Sequence, residues 1–172
     1  MRWIVGNERQ AEIRRQWDQA RPDLDMSPAE IMGLLKHATA MLDLLLEPVF
    51  ETAALSSAEF DVLVQLRHAK EPMIARRLAL SMGRSPAALS KSLAKLEQRD
   101  MVKRETKPSD RRAVLVEITP AGAAAVDEII PRRLALEAEA IAGLDPDQQG
   151  AVLTALRLLS EAIEARARGL TN

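Results

Sequence analysis

Two clusters of residues have types and spacing suited to gripping a polyanion. In the first, Ser85 and Pro86 open a helical pattern in which Leu89, Leu93 and Leu96 recur at i, i+4 and i+7, a stripe that must be buried. The opposite face carries Ser85, Ala87, Ala88, Ser90, Lys91 and Lys95, small at the N-terminal end and cationic further along. Small side chains let a helix sit deep in the major groove of DNA, where hydroxyls and lysines can meet base edges and phosphates. In the second cluster, Lys107-Pro108-Ser109-Asp110-Arg111-Arg112 makes a basic tip between two segments of strand type. At a hairpin tip Lys107, Arg111 and Arg112 can reach phosphates or enter an adjacent minor groove, and Asp110 is placed to pair with an arginine and hold the tip.

Other chemistries find little support. The two histidines, His37 and His68, fall in separate helical segments with no His/Asp/Glu spacing of a metal site. The glycines at 83, 122, 143, 150 and 169 form no phosphate-cradling loop. Cysteine is absent, which excludes disulfides, a thiolate metal site and a thiol redox sensor. We therefore expect no catalytic residues, no metal and no cofactor.

The elements that must position the basic residues follow from the surrounding pattern. A helix over Met73–Met82, a tight turn at Gly83-Arg84 and a second helix over Ser85–Arg99 precede a β-ribbon with strands near Val102–Thr106 and Ala113–Ile118. That order describes a winged helix-turn-helix. Ser85 is a good N-cap and Pro86 suits the first helical position, so the second helix starts at a fixed point, at the end that would meet bases. Charge agrees: from Arg67 to Arg112 there are 13 Lys/Arg against 5 Asp/Glu, although the whole chain has a net charge of −1. A basic segment inside a near-neutral chain is the electrostatic mark of a nucleic-acid binder.

The remainder reads as helices. The 172 residues suit one domain with a core of aliphatic side chains, since there are two Phe, two Trp and no Tyr. Residues 7–20 predict a short amphipathic helix carrying Ala11, Ile13 and Trp17. Ser27-Pro28-Ala29-Glu30 reads as a capping box opening a helix that ends near Glu47-Pro48. A second capping box, Ser56 with Glu59, comes with Leu55 and Phe60 spaced as a hydrophobic staple. Only Ala69–Pro72 separates that helix from the motif, so an additional strand there is expected to be shortened or lost, and Ile74 offers no side-chain cap. Thr119-Pro120 opens a long helix expected to bend at Pro131, and Asp145 opens the last, with Val152, Leu156, Leu159 and Ile163 along a seam. Such stripes need a partner, which a dimer built from the two chain ends would supply. No apolar run reaches the ~20 residues of a membrane span, and the N-terminus lacks the pattern of a signal peptide, so a cytoplasmic location is expected.

Several of these residues carry a family resemblance. Leu96–Arg104, the run Pro108-Ser109-Asp110-Arg111-Arg112-Ala113-Val114-Leu115-Val116, and Ile118-Thr119-Pro120-Ala121-Gly122 together resemble the multiple-antibiotic-resistance regulator (MarR) family. The resemblance implies a dimeric winged-helix transcription regulator, usually a repressor released by small phenolic or other anionic effectors. Asp100 departs from the glycine usual after the recognition helix, a left-handed position that Asp tolerates. The extra N-terminal segment is similar to that of a urate-responsive subgroup, which implies an effector site at Trp17 and Asp61. Ser92 stands where that subgroup has an arginine, so a weak or absent response to urate itself is expected. The structural alternative is that Trp17 packs the extra helix and Asp61 complements its helix dipole.

The expected fold is mostly α, a winged helix-turn-helix with flanking dimerisation helices and a small two-stranded β-wing. Residues 1–172 form one domain, with 55–118 as the DNA-binding lobe and 1–50 and 120–168 as dimerisation helices. The expected function is a homodimeric, sequence-specific regulator, a repressor relieved by a small aromatic or anionic effector, acting on a palindromic double-stranded operator. The alternatives are a helical dimer that keeps the fold but acts through protein contacts, and an enzyme of unseen chemistry.

Overall fold

The computed structural model describes residues 6–107 and 110–170; the side chains at 6–8, 10, 107, 110–112 and 170 lie outside the description. In chain order the elements are α1 (Gly6–Ala20), α2 (Ser27–Glu51), α3 (Ser57–Arg67), β1 (Met73–Ile74), α4 (Ala75–Ser81), α5 (Pro86–Gln98), β2 (Val102–Lys107), β3 (Asp110–Ile118), α6 (Pro120–Ile141) and α7 (Pro146–Leu170). The protein is mostly helical, with one antiparallel sheet in the order β1-β3-β2. Contacts divide the chain into two compact units, Met1–Pro131 and Arg132–Asn172.

The core of the first unit is built by α2 to α6 and the sheet. Phe60, Val62 and Leu63 of α3, Leu78 and Ala79 of α4, Leu96 of α5 and Val116 of β3 are all 0% exposed. Phe50 stacks obliquely on Phe60, ring centroids 5.3 Å apart. These are mainly aliphatic residues at helical spacing, as a chain poor in aromatics requires.

The winged motif forms as expected, with three local corrections. The sheet has a third strand: Met73 and Ile74 pair with Val116 and Leu115 instead of opening the first helix of the motif. Ile74 stays extended and caps α4 with no side-chain bond, because a β-branched residue can satisfy the edge of β3 but offers no acceptor to a helix end. Helix α2 runs through Pro48 to Glu51; Leu46, Val49 and Phe50 are buried, so packing of the last turn outweighs the missing N–H. At its start the N-cap is Met26, not Ser27; the Ser27 N–H donates to Asp25 Oδ1 at 3.0 Å, and Glu30 instead pairs with Arg14 of α1.

Helix ends around the motif are closed by local geometry. Ser56 and Glu59 make a reciprocal capping box at α3, with Glu59 N to Ser56 Oγ 3.2 Å and Ser56 N to Glu59 Oε2 3.0 Å. Ala54, Gly83 and Asp100 take left-handed φ values of 51°, 62° and 54° just past α2, α4 and α5. At each, the next residue's N–H reaches back five positions, Leu55 to Phe50, Arg84 to Ala79 and Met101 to Leu96, which closes a Schellman turn. Beyond the wing, Thr119 Oγ1 donates to the Asp100 carbonyl at 2.6 Å and accepts from the Gly122 N–H at 3.1 Å. A Cβ on Gly122 would lie 2.2 Å from the Met101 carbonyl oxygen, so only glycine lets α6 approach the end of the recognition segment this closely.

Outside this core, apolar side chains remain uncovered. Ile31, Leu34, Met41, Leu44 and Leu45 of α2 are exposed, and in the second unit so are Val152, Leu153, Leu156, Leu158 and Ile163 of α7.

Candidate nucleic-acid interface

Helix α5 presents the face that its sequence predicts. Leu89, Leu93 and Leu96 are 1%, 2% and 0% exposed, whereas Ser85, Ala87, Ala88, Ser90, Lys91 and Lys95 are all exposed. Ser85 caps the helix by accepting from the Ala88 N–H at 3.2 Å. The first turn is thus held rigidly, with small side chains around it. Lys91 has no ion-pair partner among the described residues.

Lys95, one turn further along, is placed differently. Its ammonium lies 3.6 Å from Oε1 of Glu59, a carboxylate on α3 whose side chain is only 5% exposed. Glu59 also accepts from Arg99 Nη2 at 2.9 Å and from the Ser56 N–H. Burial by itself would raise the Glu59 carboxyl; the Ser56 N–H and the Arg99 guanidinium outweigh it and hold the group below the ordinary glutamate value. Arg99 further donates to the Ala54 carbonyl and to the Lys95 carbonyl, so the end of α5 is tied to the α2–α3 turn. On the other side, Arg104 of β2 donates to Glu97 of α5 with Nε 2.9 Å from Oε2, and that hydrogen bond holds Glu97 below its ordinary value. The recognition helix is therefore pinned to α3 at one flank and to the wing at the other.

The wing strands pair in register from Val102↔Ile118 to Thr106↔Val114, with an irregularity before Lys107↔Asp110. Pro108 and Ser109, and the side chains of Lys107, Asp110, Arg111 and Arg112, lie outside the described residues. Three further exposed cations, Arg76 and Arg77 of α4 and Lys103 of β2, belong to the same basic segment. Their charge was legible in the sequence count, but nothing in their spacing singled them out.

Trp17 on α1 is 46% exposed, and Asp61 on α3 accepts from Arg84 Nη2 at 3.3 Å, linking α3 to the turn before α5. Neither lines a 660 Å³ cleft bordered by Ala40, Asp43, Leu44, Glu47, Phe50, Glu51, Leu55, Ser56 and Ser57. No group of three His, Cys, Asp or Glu residues that could hold a metal ion occurs among the described residues. No described helix is long and apolar enough to cross a membrane.

Comparison with known proteins agrees with this geometry. Residues 55–114, the span from the turn before α3 into β3, match the model of the MarR family. The chain is 28% identical over 156 residues to the HTH-type transcriptional regulator PecS of Dickeya dadantii, covering 90% of this chain and 92% of that one. It is 26% identical to the HTH-type transcriptional repressor NicR of Pseudomonas putida, over 82% and 91% of the two chains. Among solved structures, Bordetella bronchiseptica BpsR superposes with a TM-score of 0.70 at 26% identity, over 76% of this chain and 98% of that one. The protein belongs to the MarR family of winged-helix regulators. Members of that family regulate transcription by binding DNA and are not enzymes.

Proposed function

We propose that this protein acts as a homodimer on a palindromic operator, represses transcription there and is released by a small-molecule effector. The observation that carries the DNA contact is the exposed face of α5, small at its capped N-terminus and cationic at Lys91. We assign Ser85, Ala87, Ala88, Ser90, Lys91 and Lys95 to the major groove. Lys107, Arg111 and Arg112 are assigned to phosphates or the adjacent minor groove, with Asp110 supporting the tip. The uncovered apolar residues of α2 and α7 favour a dimer. The name of NicR, a repressor, supports the negative sign of regulation. In Bordetella bronchiseptica BpsR, DNA binding is regulated by 6-hydroxynicotinic acid, and that relative supports an effector of small aromatic type.

The test of the contact assignment compares two variants on a selected operator and on random duplex. Lys91→Ala relaxes preference at one position per half-site by roughly 1–3 kcal/mol if its contact is to a base edge. Arg112→Ala weakens both DNAs alike and reduces the salt slope by about 0.9 per lost phosphate contact. Equal losses on both DNAs for Lys91→Ala overturn its assignment as a base reader.

For the effector, the Asp61–Arg84 pair suggests a route. A planar, partly polar ligand bordered by Trp17 and bonded to Asp61 would compete with Arg84, which sits in the turn of the helix-turn-helix. Tenfold release of DNA needs only about 1.4 kcal/mol of preference for the non-binding state. Aromatic acids and neutral aromatics titrated into operator complexes should release the wild type at lower concentration than Trp17→Ala or Asp61→Asn. Release of all three at the same concentration places the effector elsewhere and leaves both residues with structural roles.

A further inference from the structure

We infer that Glu59 is a specificity-determining residue: it restrains Lys95 in the free protein and so limits the grip of the recognition helix on DNA of the wrong sequence. The inference rests on the proposed DNA-binding role of α5. The two oxygens of the Glu59 carboxylate are used differently. Oε2 accepts from the Ser56 N–H at 3.0 Å and from Arg99 Nη2 at 2.9 Å, contacts that fix it and balance its charge. Oε1 faces Lys95 Nζ at 3.6 Å. Lys95 is therefore the second cation on a carboxylate that Arg99 already neutralises. It can leave without stranding a buried charge, yet while it stays its ammonium is drawn toward α3.

Lys91 and Lys95 lie one turn apart on the same helix, and only Lys95 has such a partner among the described residues. On random DNA, a phosphate contact by Lys95 must first displace Glu59, so the electrostatic gain is small. On a matched site, base contacts fix the helix in the groove and Lys95 is released at no further positional cost. The side-chain exposures, 57% for Lys95 and 5% for Glu59, fit a mobile cation beside a fixed anion.

The experiment is a double-mutant cycle on the full-length protein, read as the slope of log Kobs against log salt on random duplex DNA. Glu59→Gln suits the cycle because glutamine keeps the capping box with Ser56 and can still accept from Arg99. Glu59→Gln should bind random DNA more tightly and steepen the slope by about 0.9 per protomer. Lys95→Gln alone, an exposed change that leaves the Glu59–Arg99 pair in place, should alter the slope by less than half that amount. In the double variant the steepening should vanish. Loss of a negative charge acting only through space would tighten binding to the same extent with or without Lys95, whereas the restraint makes the steepening depend on Lys95. An unchanged or shallower slope for Glu59→Gln overturns the inference, as does a full-unit loss for Lys95→Gln alone. Should the wild type ignore duplex DNA even at low salt, the proposed function fails and this inference with it; a binding wild type with an unresponsive cycle sinks the inference alone.

Discussion

Single residues set how the recognition helix is held. Gly122 is the sharpest case, because any β-carbon there would collide with the Met101 carbonyl just after α5. Gly122→Ala should lower stability by about 2–3 kcal/mol, read as a fall in the urea midpoint with little change in slope. An unchanged midpoint would mean that α6 does not need its close approach to that segment. Residues acting within a few positions were legible in the sequence: Ser56 and Ser85 cap the helices they precede, and Asp100 takes the left-handed turn that a missing glycine implied. Glu59 was legible only as half of a capping box. Its partner Arg99 lies 40 positions away and the Asp61–Arg84 pair spans 23, and no local pattern reports which helices the fold brings together.

At the level of elements, the order helix, turn, helix, ribbon was readable because the helical stripe of Leu89, Leu93 and Leu96 ends before Val102 and two segments of strand type then flank the basic tip. Less readable were the boundaries where burial overrides local chemistry. Pro48 looked like a stop, yet three buried residues carry α2 past it; Met73 and Ile74 looked helical, yet the open edge of β3 takes them as a strand. The pin between α3 and α5 has a pH signature. The Glu59 carboxyl is held below its ordinary value in the folded protein, so its contribution is complete above the unfolded value of about 4.3 and is lost as pH falls through the folded value. Acid titration of Glu59→Gln should therefore show less destabilisation than wild type below about pH 4.3, and parallel curves would contradict the pin. Within the family resemblance, the Thr119-Pro120-Ala121-Gly122 motif also gains a physical reason: a hydroxyl and a missing β-carbon join α6 to the end of α5.

For the whole molecule, the proposal of a dimer rests on helices that carry more apolar surface than one protomer covers. Leu156 is 45% exposed on α7, and Leu156→Asp should shift the protein toward monomer in sedimentation, since a carboxylate buried at an interface costs several kcal/mol. A Leu156→Asp variant that remains dimeric at micromolar concentration would remove α7 from the interface. Two recognition helices related by a two-fold axis would then read half-sites on the order of 10 base pairs apart. All of this depends on the basic segment around α5 and the wing meeting DNA phosphates. The most direct measurement is the affinity of the wild-type protein for random duplex DNA across a series of salt concentrations. The account predicts binding at low salt that falls linearly on a log–log plot, by about 0.9 per phosphate contacted, with a slope of several units for two protomers. Absence of binding, or binding indifferent to salt, would contradict it.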